Sequence, residues 1–374
     1  MSKRFIGACF LAAVLFSSPV FAAQNVANPS QKGSLLMWPL VTIDPEYPEN
    51  TSDTLIEISN DSFGPVHVEC EYVNQKKARV NFDFDLTGKA TLTWDVLSGA
   101  SDTDFAAAQF PTATGPFPGD VFAGELVCIA VDSARANQIA FNHLTGSATV
   151  LDVNDADAEQ IRQAFKYNAW AFAARCTACP GGLAADNTVQ GTPGQLVLSG
   201  GGDGTYDACP LYNIVNFMPN GATLAPVTTL DNDLAVMSCN QDLRQDYVIH
   251  ETKLQFTVWN EFENSFTGSY YCADSVSSVP LSSQDGLGLV NASNFDYSTL
   301  RTANARYQVQ GVSSSQCPGS ENAGLLGVAT ASTAIAPDTG EDQELGNTTS
   351  GAGTLAGFVL WDPAGPTPLH KRHH

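Results

Sequence analysis

Residues 66–72 read Val-His-Val-Glu-Cys-Glu-Tyr, and this stretch indicates the fold class more clearly than any other. Apolar and polar side chains alternate along it without a break. Alternation with a period of two is typical of a β-strand that buries one face and leaves the other in water. The stretch therefore predicts a strand with Cys70 on its buried face and His67 on its solvated face.

The same pattern recurs along the chain, and clusters of Gly, Pro, Asn, Asp and Ser separate the copies. Further strands are predicted at 54–59, 80–86, 90–96, 125–131, 147–152, 166–173, 211–217, 254–258, 266–272, 305–312, 324–331 and 354–361. One short helix is predicted at 156–165, with Asp155 as its N-cap. Many short strands between turns indicate an all-β fold of two tandem immunoglobulin-like β-sandwich domains, with at most one or two short helices.

The chain has 374 residues, which suits two domains of about 150 residues behind a leader. Its start carries two basic residues, an apolar run and small residues, the layout of a secretory signal peptide. The predicted organisation, in chain order, is a signal peptide over 1–22, an N-terminal sandwich over 23–173, a Gly- and Pro-rich connection over 174–205, a C-terminal sandwich over 206–363 and a His-rich tail over 364–374.

An internal repeat is also predicted. Residues 55–60 precede a turn and a strand that carries Cys70, and residues 254–260 precede a loop and a strand that carries Cys272. The similarity suggests that the second sandwich is a copy of the first.

Eight cysteines remain after the predicted leader, an even number that fits four disulfides in an exported protein. They are Cys70, Cys128, Cys176, Cys179, Cys209, Cys239, Cys272 and Cys317. Spacing alone leaves their pairing open. The favoured set joins Cys70 to Cys128, Cys209 to Cys239 and Cys272 to Cys317. The remaining two form either a tight loop disulfide or two half-cystines with distant partners. Pro180 occupies the position where covalent haem attachment needs a histidine, and no βαβ pattern favours redox catalysis.

The charge excludes whole classes of partner. The chain has 17 Lys and Arg against 39 Asp and Glu, a net charge of −22. Nucleic acids and anionic membrane surfaces attract the opposite sign. Beyond the leader, no apolar run has the ~20 residues of a membrane-spanning helix. We therefore expect an exported protein, located outside the cell, on its surface or in the periplasm, whose partners are a protein, a glycan or a second copy.

Calcium is the one cofactor that the sequence suggests. Residues 151–155 match the calcium-binding string of cadherins and make Asp152, Asn154 and Asp155 candidate ligands, because hard cations prefer oxygen donors in loops. The further acidic motifs that accompany this string in cadherins are missing. Asp-rich segments at 102–104, 203–207 and 231–233 read equally well as turns.

Catalytic motifs are sparse. The body before the tail has three histidines, His67, His143 and His250, and neither a Gly-x-Ser-x-Gly nor a His-Glu-x-x-His motif. Glu261 and Glu263 are predicted on one strand face at a separation of about 7 Å, which fits an inverting glycosidase pair but also any acidic strand. We expect a protein that is not an enzyme.

Exposed aromatic side chains would indicate sugar binding. The candidates are Trp170, Trp259, Phe262, Tyr270, Tyr271 and Trp361. Trp170 alternates with alanines, as core positions do, and we expect core packing for most of the set. Trp259 directly follows Val258, so one of these two side chains faces away from the core.

Several segments resemble a group of secreted bacterial proteins with paired β-sandwich regions, for which no activity is known. They are residues 58–60, 124–128, 142–149, 167–172 and 258–263. The resemblance implies a shared fold and export, and it assigns no site residue. The function we expect is adhesion, matrix or envelope assembly by a non-catalytic secreted or cell-surface protein. The alternatives are an extracellular carbohydrate- or calcium-binding module and an enzyme of unrecognised type.

Overall fold

The computed structural model describes residues 25–44, 50–154, 160–224, 227–239, 243–282, 288–321, 323–335 and 352–354. The all-β prediction is confirmed, because antiparallel sheets make up most of these residues. Among these residues, the helical content is limited to one short helix, α1 (Tyr297–Leu300), and 3-10 turns at Pro180–Gly182 and Ala292–Phe295. Within these ranges, no helix is long and apolar enough to cross a membrane.

Two sheets build the first half of the chain. Sheet I has the order β10-β1-β6-β3-β4, with β7 and β12 at its side, and sheet II has the order β5-β2-β8-β9. The strands of sheet I are β1 (Leu35–Thr42), β3 (Val66–Asn74), β4 (Arg79–Leu86), β6 (Ala123–Val131), β7 (Gln138–Ile139), β10 (Trp170–Phe172) and β12 (Val189–Gly191). Those of sheet II are β2 (Asn50–Asn60), β5 (Thr91–Asp95), β8 (Leu144–Asn154) and β9 (Gln160–Asn168).

Two further sheets build the second half. Sheet III has the order β14-β20-β17-β18, and sheet IV has the order β15-β16-β21-β22 with β19 paired to β16. The strands of sheet III are β14 (Tyr212–Phe217), β17 (Thr252–Asn260), β18 (Ser265–Ala273) and β20 (Ala305–Val312). Those of sheet IV are β15 (Thr223–Leu224), β16 (Val227–Ser238), β19 (Val276–Pro280), β21 (Leu325–Ile335) and β22 (Ala352–Thr354). Between the halves, β11 (Ala174–Arg175) pairs with β13 (Thr205–Tyr206).

Each half encloses its own core. The inward residues of sheets I and II, among them Trp38, Tyr72 and Trp94, form one cluster. Those of sheets III and IV, among them Phe256 and Tyr307, form another. Alternation along each strand fills these cores from one face, as the sequence pattern predicts. The two halves are β-sandwich-like; the immunoglobulin topology and the domain boundaries stay predictions.

A third core lies where the two halves meet. The outer face of sheet I contributes Leu35, Met37 and Trp170, and sheet IV contributes Met237 and Leu326, all of them buried. The indole Nε1 of Trp170 donates to the carbonyl of Gly327 at 3.2 Å. Residues 174–205, predicted as an exposed connection, send Leu196 and Leu198 against this junction core.

Four cysteine pairs lie at disulfide distance, and they are the favoured pairs plus the tight loop. Cys70 and Cys128 are directly opposite each other on β3 and β6. Cys209 pairs with Cys239, and Cys272 pairs with Cys317. Cys176 pairs with Cys179, three residues away. The disulfide-stapled fold is therefore confirmed.

Two predictions, the short helix and the internal repeat, are wrong. Residues 160–165 belong to β9 and pair with β8 instead of forming a helix, because Phe165 and Tyr167 alternate with polar residues and Tyr167 is buried in the first core. The two segments proposed as an internal repeat also differ in topology. Strand β2 and its successor β3 belong to opposite sheets, whereas β17 and β18 form a hairpin in one sheet.

Candidate ligand-binding face

The outer face of sheet III combines exposed polar side chains with aromatic ones. On β17, Leu254, Phe256 and Val258 are fully buried, while the side chains between them point away from the core. The outward Gln255 is exposed, and Trp259 is half-buried. Because successive side chains alternate between the faces of a strand, the apolar inner face fixes which residues form the outer one.

The strand register arranges the outer residues in three cross-strand rows, which we call the binding face. The first row is Tyr212, Gln310, Gln255 and Tyr270; the second is Ile214, Gln308, Thr257 and Thr267; the third is Asn216, Arg306, Trp259 and Ser265. Aromatic rings therefore occupy two of its corners, at Tyr212 and Tyr270, and Trp259 lies on the opposite edge, while carboxamides and hydroxyls occupy its middle. None of these twelve residues is acidic, in a chain with a net charge of −22.

Cations hold two of the aromatic rings in place. The guanidinium of Arg306 lies 5.3 Å from the centre of the Trp259 ring, and the Lys253 ammonium lies 4.7 Å from that of Tyr270. Lys253 is itself buried and contacts the Gln316 carboxamide. Cation–π contacts of this kind restrict a surface ring without covering all of it. The rings are therefore partly ordered before a ligand arrives.

A groove continues the binding face around the end of the sheet. This end groove has a volume of about 530 Å³. Asn216 and Arg306 line both the groove and the third row of the face. The other lining residues are Phe217, Met218, Leu224, Asn260, Glu261, Glu263, Ala303, Asn304 and Ala305. A chain-like ligand on the face would have a path into the groove.

The rim of the groove is a turn built around Asn260. Its side-chain oxygen accepts hydrogen bonds from the amides of Phe262 (3.1 Å) and Asn264 (3.0 Å), and its Nδ2 donates to the carbonyl of Leu300. Glu261 and Glu263 belong to this turn, and Glu263 adopts a left-handed conformation (φ 61°). Their predicted place on one strand face is wrong, because β17 ends at Asn260.

Two of the three predicted calcium ligands lie in a strand and not in a loop. Asp152 and Asn154 lie in β8, where they pair with Ser52 and Asn50, and Asp155 lies outside the described residues. The Asp231–Asp233 segment is part of β16 and not a turn. Within the described ranges, no group of three His, Cys, Asp or Glu side chains is arranged for a metal ion. Calcium binding stays a prediction.

Asp207, in another of the predicted Asp-rich segments, has a structural partner. Its carboxylate is buried and forms an ion pair with the buried Arg175 guanidinium. It also accepts from the Ala173 amide at 2.8 Å and from the Gln31 carboxamide at 2.7 Å. Burial raises the pKa of Asp207, although Arg175 and these donors oppose the shift. The group ties β11 to β13 and to the N-terminal segment.

A polar cluster lies on the outer face of sheet I, beside the junction core. Burial raises the pKa of Glu71 to about 7, against the attraction of Arg79. Burial also raises the pKa of the fully buried Glu125 well above its ordinary value, against Lys77. Arg79 donates to the carbonyl of Leu243 at 2.7 Å. Carboxyl groups with shifted pKa values are common at functional sites. Here the cluster has a structural role, because its Arg79 connects sheet I to Leu243 of the second half.

The three histidines lie on separate elements. His67 is buried on β3, with Nδ1 2.7 Å from Asp85 and Nε2 3.0 Å from Asp83, so its predicted solvation is wrong. His143 contacts Asp186 at 3.1 Å, and His250 precedes β17. The imidazole is not solvated because Asp83 and Asp85 of the neighbouring strand β4 contact both of its nitrogens.

The aromatic candidates divide between core and surface. Trp170 is fully buried, as expected, and Tyr271 packs against the core of the second half. Phe262 is 65% exposed at the tip of the turn, and Trp361 lies outside the described residues. Trp259 and Tyr270, both among the candidates, lie on the binding face, and of Val258 and Trp259 it is Trp259 that faces outward. The sequence did not indicate Arg306 or Gln308, because only the register between β17 and β20 brings them beside Trp259.

Comparisons with known proteins give little support to any assignment. No family model matches the chain, and no curated protein matches it. Among solved structures, the PBSX exported protein XepA aligns with 76% of this chain and 83% of its own, at 8% identity and a TM-score of 0.18. An alignment with that TM-score carries no conclusion about fold or function.

Proposed function

We propose that this chain is a non-catalytic exported protein that acts in adhesion or matrix assembly at the cell surface, and that it adheres by binding a glycan. The observation that carries the proposal is the binding face, where the rings of Tyr212, Tyr270 and Trp259 surround a field of carboxamides and hydroxyls. Aromatic rings pack against the C–H faces of sugars. Carboxamides both donate and accept hydrogen bonds, as sugar hydroxyls do.

The dimensions of the face suit a short stretch of polysaccharide. Rows two residues apart are separated by about 7 Å, and neighbouring strands by about 5 Å. Three rows on four strands therefore present a patch of roughly 14 by 14 Å, enough for roughly two or three sugar rings. The end groove, with Asn304 and Glu261 in its wall, extends this path.

Electrostatics favour a neutral glycan over a charged one. The net charge of −22 opposes the approach of polyanions. The binding face itself carries the single cation Arg306 among its twelve residues, and that guanidinium is engaged with Trp259. Specificity for an uncharged polysaccharide therefore follows from hydrogen bonds and ring packing.

Affinity electrophoresis tests this proposal. The mature protein is run through gels that contain neutral polysaccharides (β-glucan, xylan, mannan, starch) or the polyanions alginate and pectin. We expect retardation by at least one neutral polysaccharide, with and without EDTA. The Trp259→Ala variant should lose it, because the half-buried ring supplies the main apolar contact.

Phe63→Ala is the matched control. Phe63 is 91% exposed but belongs to the first half, between β2 and β3. Its removal should leave retardation intact. Retardation that survives Trp259→Ala, or that is absent from every polysaccharide, would contradict glycan binding on this face. Retardation lost in EDTA would instead favour the calcium-dependent alternative.

A further inference from the structure

A polar pocket opens on the first half of the molecule, on the outer face of sheet II. Its volume is about 350 Å³. The strands β2, β8 and β9 form its floor, and the segment 29–32, which precedes β1, forms one wall. Glu57, Ser147 and Asn168 lie in one cross-strand row of the floor, and Lys166 lies in the next row. Among the described residues, the pocket shares none with the binding face or the end groove.

The wall is fixed at both of its ends. Before it, Asn28 and Ala171 exchange two backbone hydrogen bonds, of 3.1 and 3.3 Å. After it, Gly33 and Leu144 exchange two more, both of 3.0 Å. Residues 29–32 therefore form a short strap between β10 and β8. A wall that is ordered before a ligand arrives lowers the entropy cost of binding.

Ser147 lies in the floor of the pocket without a hydrogen-bond partner. Gly146 faces the core, where a side chain would collide with Trp38, and Ala148 belongs to the first core. The side chain of Ser147 between them therefore points into the pocket. Only 7% of this residue is exposed, and its hydroxyl forms no hydrogen bond with any residue of the described ranges. Because buried polar groups nearly always have a partner, the hydroxyl indicates that a ligand belongs here.

Two opposite charges lie on either side of Ser147 and do not pair with each other. Glu57 belongs to β2 and Lys166 to β9, so β8 lies between them and separates the two strands by roughly 10 Å. Neither side chain forms an ion pair or a hydrogen bond with another described residue. The third charged group that lines the pocket, Lys32, is already paired with Asp61. One carboxylate and one ammonium are therefore left for a ligand.

We infer that this pocket binds a short peptide of about two residues with both termini free. The Glu57 carboxylate accepts from its terminal ammonium, Lys166 donates to its terminal carboxylate, and the Ser147 hydroxyl bonds to the peptide group between them. A dipeptide spans roughly 7 Å, and the Glu57 and Lys166 side chains cover the remaining distance. Hydrogen bonds between charged groups are about twice as strong as those between neutral groups.

The size and charge of the pocket agree with this ligand. Its volume lies near the lower end of the ~300–1,000 Å³ found for small-molecule sites. A zwitterion has no net charge, so the net charge of −22 does not oppose its approach. Ser30, Thr145 and Asn168 also line the pocket, and their side chains form no hydrogen bond with other described residues. The inference goes beyond glycan binding, since it concerns the other half of the molecule and a different ligand class.

The probes are L-alanyl-L-alanine, its N-acetyl derivative and its carboxamide. They are titrated into the mature protein and followed by the backbone amide NMR signals of Gly146 and Ser147. The N-acetyl derivative lacks the ammonium, and the carboxamide lacks the carboxylate. We expect saturable shifts with the dipeptide and about tenfold weaker binding of each derivative, because each loses one hydrogen bond between charged groups.

Four variants sharpen the test. Glu57→Gln should weaken the dipeptide about tenfold and leave the N-acetyl derivative within about twofold, because that probe has no ammonium to lose. Lys166→Gln should do the same for the dipeptide and the carboxamide. Ser147→Ala should weaken all three probes about fivefold. Thr93→Ala is the matched control, because Thr93 pairs with Glu57 on the same sheet face without lining the pocket, and it should bind like the wild type.

Three outcomes would overturn the inference. Amide signals that do not move at the solubility limit of the dipeptide would overturn the binding site. Equal affinity for the dipeptide and its two derivatives would overturn the recognition of both termini. Xylose serves as a neutral probe of similar size, and binding of xylose as tight as that of the dipeptide would assign the pocket to a sugar instead.

Discussion

At the scale of single residues, the burial of Glu71 makes the stability of the folded protein depend on pH. Its folded-state pKa of about 7 lies above the ordinary 4.5 expected in the unfolded chain. Between these values the folded protein binds more protons than the unfolded one, so stability falls as the pH rises through this window. The effect is present because desolvation of the carboxylate outweighs the attraction of Arg79.

We predict that Glu71→Gln flattens this part of the stability profile. The variant should resemble the wild type near pH 4, where the folded carboxyl is neutral. Above pH 7 it should be more stable by up to about 3 kcal/mol. Urea unfolding midpoints measured from pH 4 to 8 provide the test. Parallel profiles for the two proteins would show that ionisation of Glu71 does not lower the stability of the fold.

Asp207 provides the second test at this scale. Asp207→Ala leaves the Arg175 guanidinium buried without its counter-charge, so it should cost about 3–5 kcal/mol in urea unfolding. Asp61→Ala is the matched control, because Asp61 forms exposed ion pairs with Lys32 and Lys89 and surface pairs contribute little. Equal midpoints for the two variants would contradict a structural role for the buried pair.

At the scale of elements, the disulfides should differ in how much each contributes to the free energy of unfolding. Cys70 and Cys128 are 58 residues apart and join two central strands, whereas Cys176 and Cys179 are three apart. A cross-link constrains the unfolded chain more when it closes a longer loop. Replacing the first pair by alanines should cost about 2–5 kcal/mol, and replacing the second should cost clearly less. Equal losses in denaturant unfolding would refute this loop-length account.

The strands also show what the sequence could reveal. β17 was predicted because its inner side chains are apolar and its outer ones polar. β1 was missed, since Leu36 and Trp38 enter the first core while Leu35 and Met37 enter the junction core. A strand buried on both faces shows no alternation. The binding face was foreseeable only at Trp259 and Tyr270, because its other residues meet through the register of distant strands.

At the scale of the whole molecule, the junction core should make the two halves unfold together. Leu326 of sheet IV is fully buried in that core with Leu35 and Trp170 of sheet I. We predict one calorimetric transition with equal calorimetric and van't Hoff enthalpies. Leu326→Ala should lower this transition by the equivalent of about 2–5 kcal/mol. Two separate transitions, with only one of them shifted by Leu326→Ala, would show that the halves are independent.

A crystal structure of the complex would show directly whether a glycan binds on the outer face of sheet III. The ligand would be an oligosaccharide of the polysaccharide that retards the protein most strongly. We predict a sugar ring packed on Trp259, with its hydroxyls hydrogen-bonded to Gln308 or Asn216 and the glycan chain directed toward the end groove. An oligosaccharide bound on any other surface of the molecule would contradict it.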